Sequence, residues 1–361
     1  MKFKIDKKKL ESLASMLSNY VEKKDATSPN SCIRLFMREV EGQAQLFLGA
    51  NSGEMGIEQK VLGARIEKEG DFLLSYKHFI DAIKALPDGD LSIEEKDLEL
   101  IIKQGRSRFR IKVKSDEEQV LPPSSEAAEL IRVSNSNLAM GFKKVLANVD
   151  TSSPKYALQG VLLEIAGKDI NFVGSNGPKL SFFNIKSEEE LANCRIIIPK
   201  AAVVELSKLL NEPLELRFDS NYFYIQNENF SFYTRLVADS YPDYARAFPL
   251  KFRQTLNITW QEFKEEIDRV AKVDDCTGLE FSNKGIVVKS VSDSGLEYEG
   301  SIDMELGVDS EGLDIKVKTK FIQDFLNACE EESFLMEINT NESAFVLSSG
   351  SLKAVVLPIR N

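Results

Sequence analysis

The sequence is poor in the side chains that most often carry catalysis and metal binding. It has one histidine, His78, and four cysteines far apart, Cys32, Cys194, Cys276 and Cys329, with no CxxC pair. A zinc site needs several such ligands close together, and a histidine-based triad would have to use His78. We therefore expect reduced, structural thiols and a histidine that faces solvent on a helix.

Long apolar runs and phosphate-binding motifs are also missing. The start, MKFKIDKKKL, has no apolar stretch behind its charges, so we expect no signal peptide. No apolar run is long enough to cross a bilayer. The sequence contains no GxxxxGK[ST] loop, no GxGxxG after a strand and no GxSxG elbow. Asp239, Asp274 and Asp275 could be metal ligands, but carboxylates beside turns are more often solvated. We expect a cytoplasmic protein with no metal, cofactor, catalytic residue or membrane partner.

The remaining composition is that of an ordinary globular protein with an acidic balance. Its 361 residues are 43% hydrophobic and 29% charged, with a formal net charge of −11. This length fits two or three domains. An acidic balance by itself argues against nucleic-acid binding. DNA binding is compatible with it only if the basic residues gather on one surface while the rest of the exterior is acidic.

Two kinds of helix recur along the chain, which indicates an internal repeat. The first follows an apolar strand and occurs at Leu74–Leu86, Ile198–Leu210 and Val317–Cys329. The second carries apolar residues at i, i+4 and i+7, one face of a helix. Its three copies contain Leu10, Ala14 and Leu17; Leu138, Phe142 and Val145; and Phe263, Ile267 and Val270. Their predicted N-caps are Asp6, Ser134 and Thr259.

Between the helices the pattern alternates with period two, which predicts strands with one buried and one wet face. Examples are residues 109–114, 230–235 and 313–318. We therefore predict an α+β fold of three similar domains, each with two helices against antiparallel sheet. The predicted boundaries are 1–127, 128–252 and 253–361. The polar stretch Ser115–Ala128, with a Pro-Pro pair, is the predicted first linker.

The polar faces of the predicted helices carry many lysines. Each one alone is best explained as a solvated charge. Together they would form a basic channel inside an acidic shell if all the helices lined one surface. Lysine–phosphate contacts carry no sequence information and lower the free energy through counterion release. The helix lysines assigned to this DNA-facing surface are Lys77, Lys84, Lys143, Lys144, Lys200, Lys264 and Lys320.

Several segments in order resemble the bacterial sliding clamp family, the β subunits of DNA polymerase III. They are MKFKI at the start, GRSRF at 105–109, KYALQGVLL at 155–163, IIIPKAAVVEL at 196–206, LVADSYPDYARAFP at 236–249 and VVLPIR at 355–360. The stretch Tyr-Pro-Asp-Tyr at 241–244, followed by Arg246 and Pro249, is the most specific. The resemblance covers the whole chain.

The resemblance implies a processivity factor with no chemistry of its own. Two protomers would join head to tail into a ring with helices inside and sheets outside, encircling duplex DNA without sequence specificity. The implied partners are the polymerase α subunit, a clamp loader and other proteins with a clamp-binding motif (repair polymerases, mismatch repair proteins and ligase). The ring would work in the cytoplasm, at the nucleoid and replisome. Lys23, Lys24 and Tyr156 match DNA-contacting regions of the family, although a partly buried structural tyrosine explains Tyr156 equally well.

The resemblance also implies an apolar pocket between domains two and three that docks short peptides. Its residues here would be Lys155, Leu158, Ser175, Gly177, Lys179, Leu180, Pro242, Arg246, Ala247, Phe321, Ala344, Val355, Leu357 and Pro358. This chain departs from the family pattern at Pro178, Lys179 and Ala247, which changes the size of the pocket. Without the resemblance, core packing is the better explanation of Leu158, Leu180 and Val355.

Ring closure would need a contact between protomers. Phe109 and Ile111, near a sheet edge in domain one, are predicted to meet Ile267, Val270 and Val273 of a second copy, because sheet edges need covering. From the sequence alone these are equally good core residues. The alternative function is a modular protein-interaction scaffold that never encircles DNA, and self-association distinguishes the two.

Overall fold

The computed structural model describes residues 1–25, 28–40, 42–114, 122–210, 213–304 and 312–360. Within these ranges it has six α-helices and strands that pair antiparallel, so the predicted α+β class is confirmed. Contacts divide the chain into two compact units. The first is Met1–Ile131 with Pro213–Leu236, and the second is Arg132–Glu212 with Val237–Asn361.

All six helices lie where the repeat predicts them. They are α1 Lys7–Met16, α2 Tyr76–Lys84, α3 Asn135–Val145, α4 Lys200–Leu209, α5 Trp260–Val270 and α6 Thr319–Ala328. The apolar i, i+4 and i+7 positions of α1, α3 and α5 are buried. His78 is exposed on α2, as predicted. The six helices bury a single apolar stripe each, the usual reason for a helix to pack on a sheet.

The strands, numbered in chain order, range in length from 2 residues in β10 to 21 residues in β12. They are β1 Lys2–Asp6, β2 Cys32–Val40, β3 Gln43–Asn51, β4 Met55–Lys60, β5 Arg65–Lys68, β6 Phe72–Ser75, β7 Asp90–Lys96, β8 Glu99–Gln104, β9 Ser107–Lys114, β10 Glu129–Leu130, β11 Gly160–Ser175, β12 Lys179–Pro199, β13 Glu215–Phe218, β14 Tyr222–Asn227, β15 Phe230–Arg235, β16 Gln254–Thr259, β17 Cys276–Ser282, β18 Gly285–Val291, β19 Glu297–Asp303, β20 Leu313–Lys318, β21 Ser333–Ile338, β22 Phe345–Ser349 and β23 Leu352–Val356.

The first unit is one sheet with the strand order β10-β13-β14-β15-β4-β3-β2-β6-β9-β8-β7-β1-β5. Helices α1 and α2 pack on each other in this unit. Alternation in β15 predicts Ser231, Tyr233 and Arg235 on the solvent-facing side of the strand; this prediction is wrong at Tyr233, which is 7% exposed. Its ring packs with Ala128, Tyr222 and Tyr224, because the segment that carries Ala128 covers that face of the sheet.

The second unit contains two sheets. One has the order β11-β12-β23-β22-β21-β16, and the other has the order β19-β18-β17-β20. Helices α3 and α4 pack against β11 and β12, and α5 packs against α6. Strand β20 alternates between buried and exposed residues, as its sequence predicts. No helix in the described ranges is both long enough and apolar enough to span a membrane.

Strands on either side of the predicted domain boundaries are hydrogen-bonded to each other. Strand β12 pairs with β23 from Lys179↔Val356 to Phe183↔Leu352, although the two strands belong to different predicted domains. Strand β15 pairs with β4 in the same way, from Phe230↔Gln59 to Thr234↔Met55. The boundaries at 127 and 252 stay a prediction. Most of the predicted first linker, residues 115–121, lies outside the described residues.

Candidate functional site

A cavity of about 330 Å³ opens on the surface of the second unit. It collects ten of the fourteen side chains assigned to the peptide pocket from the sequence. These are Lys155, Leu158, Ser175, Gly177, Leu180, Pro242, Ala247, Ala344, Val355 and Leu357. Four further residues complete the lining: Pro178, Tyr241, Asp243 and Tyr244. The lining is mostly aliphatic and aromatic, which suits an apolar side chain.

One wall is the tight turn between β11 and β12. The Ser175 hydroxyl donates to the Lys179 carbonyl at 2.9 Å and accepts from the Gly177 N–H at 3.1 Å. The Lys179 N–H donates to Asn176 Oδ1 at 2.9 Å. Gly177 has φ +94°, a conformation that favours glycine. These bonds fix the turn so that Leu180, the next residue on β12, faces the cavity.

The opposite wall comes from the end of the chain. Val355 on β23 pairs with Leu180 on β12, so the two side chains stand next to each other. Past β23, the Leu357 N–H donates to the Pro178 carbonyl at 2.9 Å. This bond holds Leu357 beside the turn. Ala344, just before β22, completes this side of the cavity.

The third wall is the irregular segment that precedes and includes a short 3₁₀ turn, Tyr244–Ala247. The Tyr244 ring stacks on Phe182 with centroids 5.8 Å apart, and its hydroxyl donates to Glu164. Burial raises the pKa of Tyr244. Asp239 supports the neighbouring turn by accepting from the Ala157 N–H at 3.2 Å.

Of the Tyr-Pro-Asp-Tyr stretch, the sequence analysis assigns only Pro242 to the pocket, whereas Tyr241, Asp243 and Tyr244 also line the cavity. The segment is neither strand nor helix at 236–243, so consecutive side chains can face the same cavity. The signal available in the sequence is that this stretch, which contains Pro242, follows neither a helix nor a strand period. The lining is continuous with a cluster of buried hydrophobic side chains: Ala157, Leu158, Leu162, Val173, Leu180, Ile197, Tyr241, Val346 and Val355.

Lys179 does not line the cavity. Adjacent residues on a strand point to opposite faces, and with Leu180 towards the cavity Lys179 points away from it. Its side chain has 0% exposure, and its ammonium lies 3.5 Å from Asp324 and 6.0 Å from the Phe321 ring centroid. Burial lowers the Lys179 pKa to about 8, against the opposing effect of Asp324.

Three other assigned residues also lie outside the lining. Phe321 is on α6, beside Lys179. Arg246 is 87% exposed and pairs with Asp243 at 2.9 Å, so its guanidinium stands at the edge of the cavity and not within it. Pro358 is buried in the structure next to Leu357.

The predicted contact between protomers is wrong at three positions. Ile267 and Val270 have 0% exposure and Ile111 has 5%, because their side chains form the interior of their own units. A buried side chain offers no area to a second copy. Phe109 is 37% exposed and Val273 is half-buried, so only these two keep surface for such a contact.

The residues assigned to the DNA-facing surface differ in how much of their side chain is exposed. Lys23, Lys24, Lys77, Lys84 and Lys143 are exposed, and Tyr156 is 69% exposed. Lys320 is 75% exposed but pairs with Asp324 at 3.0 Å. The assignment of Lys144 is wrong, since it is 6% exposed and its ammonium pairs with Glu330 at 2.8 Å.

Two more lysines of this set are held by partners. The Lys200 ammonium donates to the Val149 carbonyl at 2.7 Å, and Lys264 pairs with Asp268 at 2.6 Å. Both keep part of their surface exposed. In the described ranges, no group of three or more His, Cys, Asp or Glu side chains is placed to hold a metal ion.

Comparison with known proteins gives one consistent result. The family models for the N-terminal and central domains of the DNA polymerase III beta subunit match residues 1–121 and 132–243. The beta sliding clamp of Helicobacter pylori strain 26695 is 30% identical over 356 residues, covering 96% of this chain and 94% of the relative. That of Staphylococcus epidermidis is 26% identical over 327 residues, covering 85% of each.

Solved structures agree. The Helicobacter pylori beta clamp bound to a DNA ligase peptide superposes with a TM-score of 0.90 and 27% identity, covering 100% of both chains. The DNA polymerase III β subunit of Pseudomonas aeruginosa shares the fold, with a TM-score of 0.89 and 20% identity over 100% of both chains.

Fold and comparisons together define a processivity clamp: an accessory subunit of a replicative polymerase without catalytic activity of its own. The chain belongs to the β sliding clamp family of DNA polymerase III.

Proposed function

We propose that the cavity of the second unit docks short peptide segments of replication and repair proteins. The observation that carries this proposal is the convergence of ten motif-matched side chains, from five separate stretches of the chain, on one apolar cavity. The related Helicobacter pylori clamp, whose structure contains a DNA ligase peptide, supports a peptide ligand. The polymerase α subunit, the clamp loader and other proteins with a clamp-binding motif are the proposed partners.

The chemistry of the cavity fits an apolar side chain flanked by polar peptide. Burying apolar surface contributes about 25 cal/mol per Å² before the costs of association are subtracted. Lys155 and Asp243, both exposed, place one positive and one negative charge in the lining, and Asp243 is shared with Arg246 at the edge of the cavity. These charges can orient a peptide by its own charges, while the aliphatic lining supplies affinity.

We also propose that two copies close around duplex DNA. Exposed lysines on α2 (Lys77 and Lys84) and on α3 (Lys143) support contact with phosphates. Phe109, exposed on β9, supports a contact between copies. This ring would act in the cytoplasm, at the replisome, and each of its two copies would have three domains, bounded at residues 127 and 252.

A charge placed in the cavity tests the docking proposal. Ala247 lines the cavity and is exposed, whereas Ala245, in the same short turn, is exposed but does not line it. We expect Ala247→Glu to weaken binding of a fluorescent DNA ligase peptide by at least about tenfold, because a carboxylate in an apolar site is costly to desolvate. Fluorescence anisotropy measures the dissociation constants.

Ala245→Glu is the matched control, with the same charge on the same turn outside the cavity. Its affinity should stay within about twofold of the parent protein. Equal weakening by both variants would mean that net charge, and not the cavity, governs binding. No measurable binding to the parent protein would contradict the docking proposal itself.

A further inference from the structure

Among the described residues of the cavity lining, Tyr241 has the one side-chain polar atom, its hydroxyl oxygen, that is buried without a hydrogen-bond partner. Tyr241 is 6% exposed, and its ring packs in the cluster that includes Leu158, Leu180 and Val355. Burial raises the pKa of Tyr241, so the hydroxyl keeps its proton and remains a donor. A buried, unpaired hydroxyl destabilises a folded protein and calls for an explanation.

Comparable hydroxyls in this protein do find partners. Tyr244, also in the lining, donates to Glu164. Tyr224 donates to Asp219 at 2.8 Å, and Tyr298 donates to Glu266 at 2.6 Å. The Ser175 hydroxyl is used twice within its own turn. Among the described residues that line the cavity, Tyr241 is therefore the exception, because the hydroxyls of Ser175 and Tyr244 both have partners.

The backbone around Tyr241 can bring this hydroxyl to the cavity surface. Residues 236–243 belong to no helix or strand, so no hydrogen-bonded ladder fixes Tyr241 in the way that β12 fixes Leu180. The segment is tied down at Val237, whose N–H donates to the Ile197 carbonyl at 3.0 Å, and at Asp239 through Ala157. The hydroxyl would reach a ligand in the cavity through a shift of the residues beyond these ties.

We propose that Tyr241 is a specificity-determining residue of this site, whose hydroxyl donates a hydrogen bond to an amide carbonyl oxygen of the bound peptide. The ligand class is a peptide that fills the cavity with an apolar side chain and presents an amide oxygen next to it. That oxygen can belong to the peptide main chain or to a Gln or Asn side chain. The inference rests on the docking function proposed above and adds the chemical group that the site recognises.

The variant Tyr241→Phe isolates this hydroxyl because it keeps the ring and its packing. We expect it to bind the DNA ligase peptide about three- to tenfold more weakly, the usual effect of one neutral hydrogen bond. Its melting temperature should be unchanged or higher, since the substitution removes an unpaired buried polar group from the unbound protein. A purely structural role of Tyr241 would lower both peptide affinity and melting temperature, so weaker binding without a lower melting temperature distinguishes the two roles.

Tyr224→Phe is the control, a buried tyrosine outside the cavity lining whose hydroxyl already has a partner. It should lower the melting temperature and leave peptide affinity within about twofold. The two sources of the oxygen are separated with peptides in which each Gln or Asn is replaced by Ala. If one replacement abolishes the effect of Tyr241→Phe, the acceptor is that side chain; if none does, the acceptor is the main chain.

Three results would overturn the inference. If the parent protein and Tyr241→Phe bind the peptide equally well, the proposed hydrogen bond does not exist, but the docking function still stands. A loss of affinity accompanied by a lower melting temperature would make Tyr241 a structural residue. Absence of binding to the parent protein would remove the docking function and this inference with it.

Discussion

Lys179 is a charged side chain held in the interior of the second unit. It has 0% exposure, and its partner Asp324 is shared with the exposed Lys320. Removing an ammonium from water is costly, and a single ion pair at 3.5 Å offsets only part of that cost. This balance lowers the pKa of Lys179 to about 8, from 10.5.

This lowered pKa predicts an unusual pH dependence of stability. Between pH 8 and pH 10.5 the unfolded chain holds more protons on this amine than the folded chain, so the contribution of Lys179 to the free energy of unfolding rises with pH. From about pH 7.5 to about pH 9.5, the parent protein should gain roughly 1–2 kcal/mol relative to Lys179→Met. Urea unfolding at the two pH values measures this difference.

Lys320→Met serves as the control. Lys320 contacts the same Asp324 carboxylate from the solvent side, and its substitution leaves the buried Lys179 amine in place. It should keep most of the pH dependence of the parent protein. A constant difference between the parent protein and Lys179→Met across this pH range would show that the amine titrates as an exposed lysine does.

At the residue scale, motif matching predicted which segments meet but not every side-chain direction. Leu180, Val355 and Ala344 line the cavity as assigned. Lys179 belongs to the same motif as Leu180, but the period of a strand turns the two to opposite faces. Tyr241 could not be singled out from the sequence, because the burial of its hydroxyl without a partner depends on the fold.

At the element scale, helix starts follow from local chemistry. The predicted N-cap Asp6 accepts from the Lys9 N–H at 3.1 Å, and Ser134 accepts from the Asn137 N–H at 3.2 Å. Thr259 occupies the N-cap of α5, but its side chain makes no capping bond. The position of a cap is therefore readable from sequence, whereas its hydrogen bond depends on the rotamer in the fold.

This difference can be measured. Ser134→Ala should lower the free energy of unfolding by about 1 kcal/mol, because the Asn137 N–H loses its acceptor. Thr259→Ala should change it by less than about 0.5 kcal/mol. Both residues are exposed and belong to the second unit, so urea unfolding of the two variants reports on comparable sites. Equal losses would show that Thr259 also caps its helix in solution.

The errors in the predicted contact between protomers also arise at the level of the single helix or strand. An apolar stripe on a helix shows that the helix buries one face, but it does not show what covers that face. Ile267 and Val270 lie on such a stripe, and the interior of their own unit covers it completely. Phe109 breaks the alternation of its strand by staying 37% exposed, which only the structure reveals.

At the scale of the whole molecule, a net charge of −11 opposes DNA binding unless topology holds the DNA. We expect the protein, loaded by a clamp loader with ATP, to remain on nicked circular duplex DNA in moderate salt and to leave once the DNA is cut. Gel filtration of the complex before and after linearisation measures retention. Equal retention on circle and line, or none on either with an active loader, would favour a scaffold that does not encircle DNA.

Ring closure supplies the control for that experiment. Phe109→Asp should reduce self-association, seen by sedimentation, and should reduce retention on the circle in parallel. Leu62→Asp places the same charge on another exposed apolar position of the first unit and should do neither. Retention that survives loss of self-association would show that a closed dimer is unnecessary.

The pairing of β12 with β23 limits how this chain can be divided or recombined. A cut at residue 252, which the repeat suggests, would strip β23 from β12 and leave the edge from Lys179 to Phe183 bare. The same cut would separate Leu180 from Val355 and so dismantle the cavity. The peptide site therefore cannot be inherited, exchanged or transplanted with a single repeat: it exists only where two successive repeats are kept together.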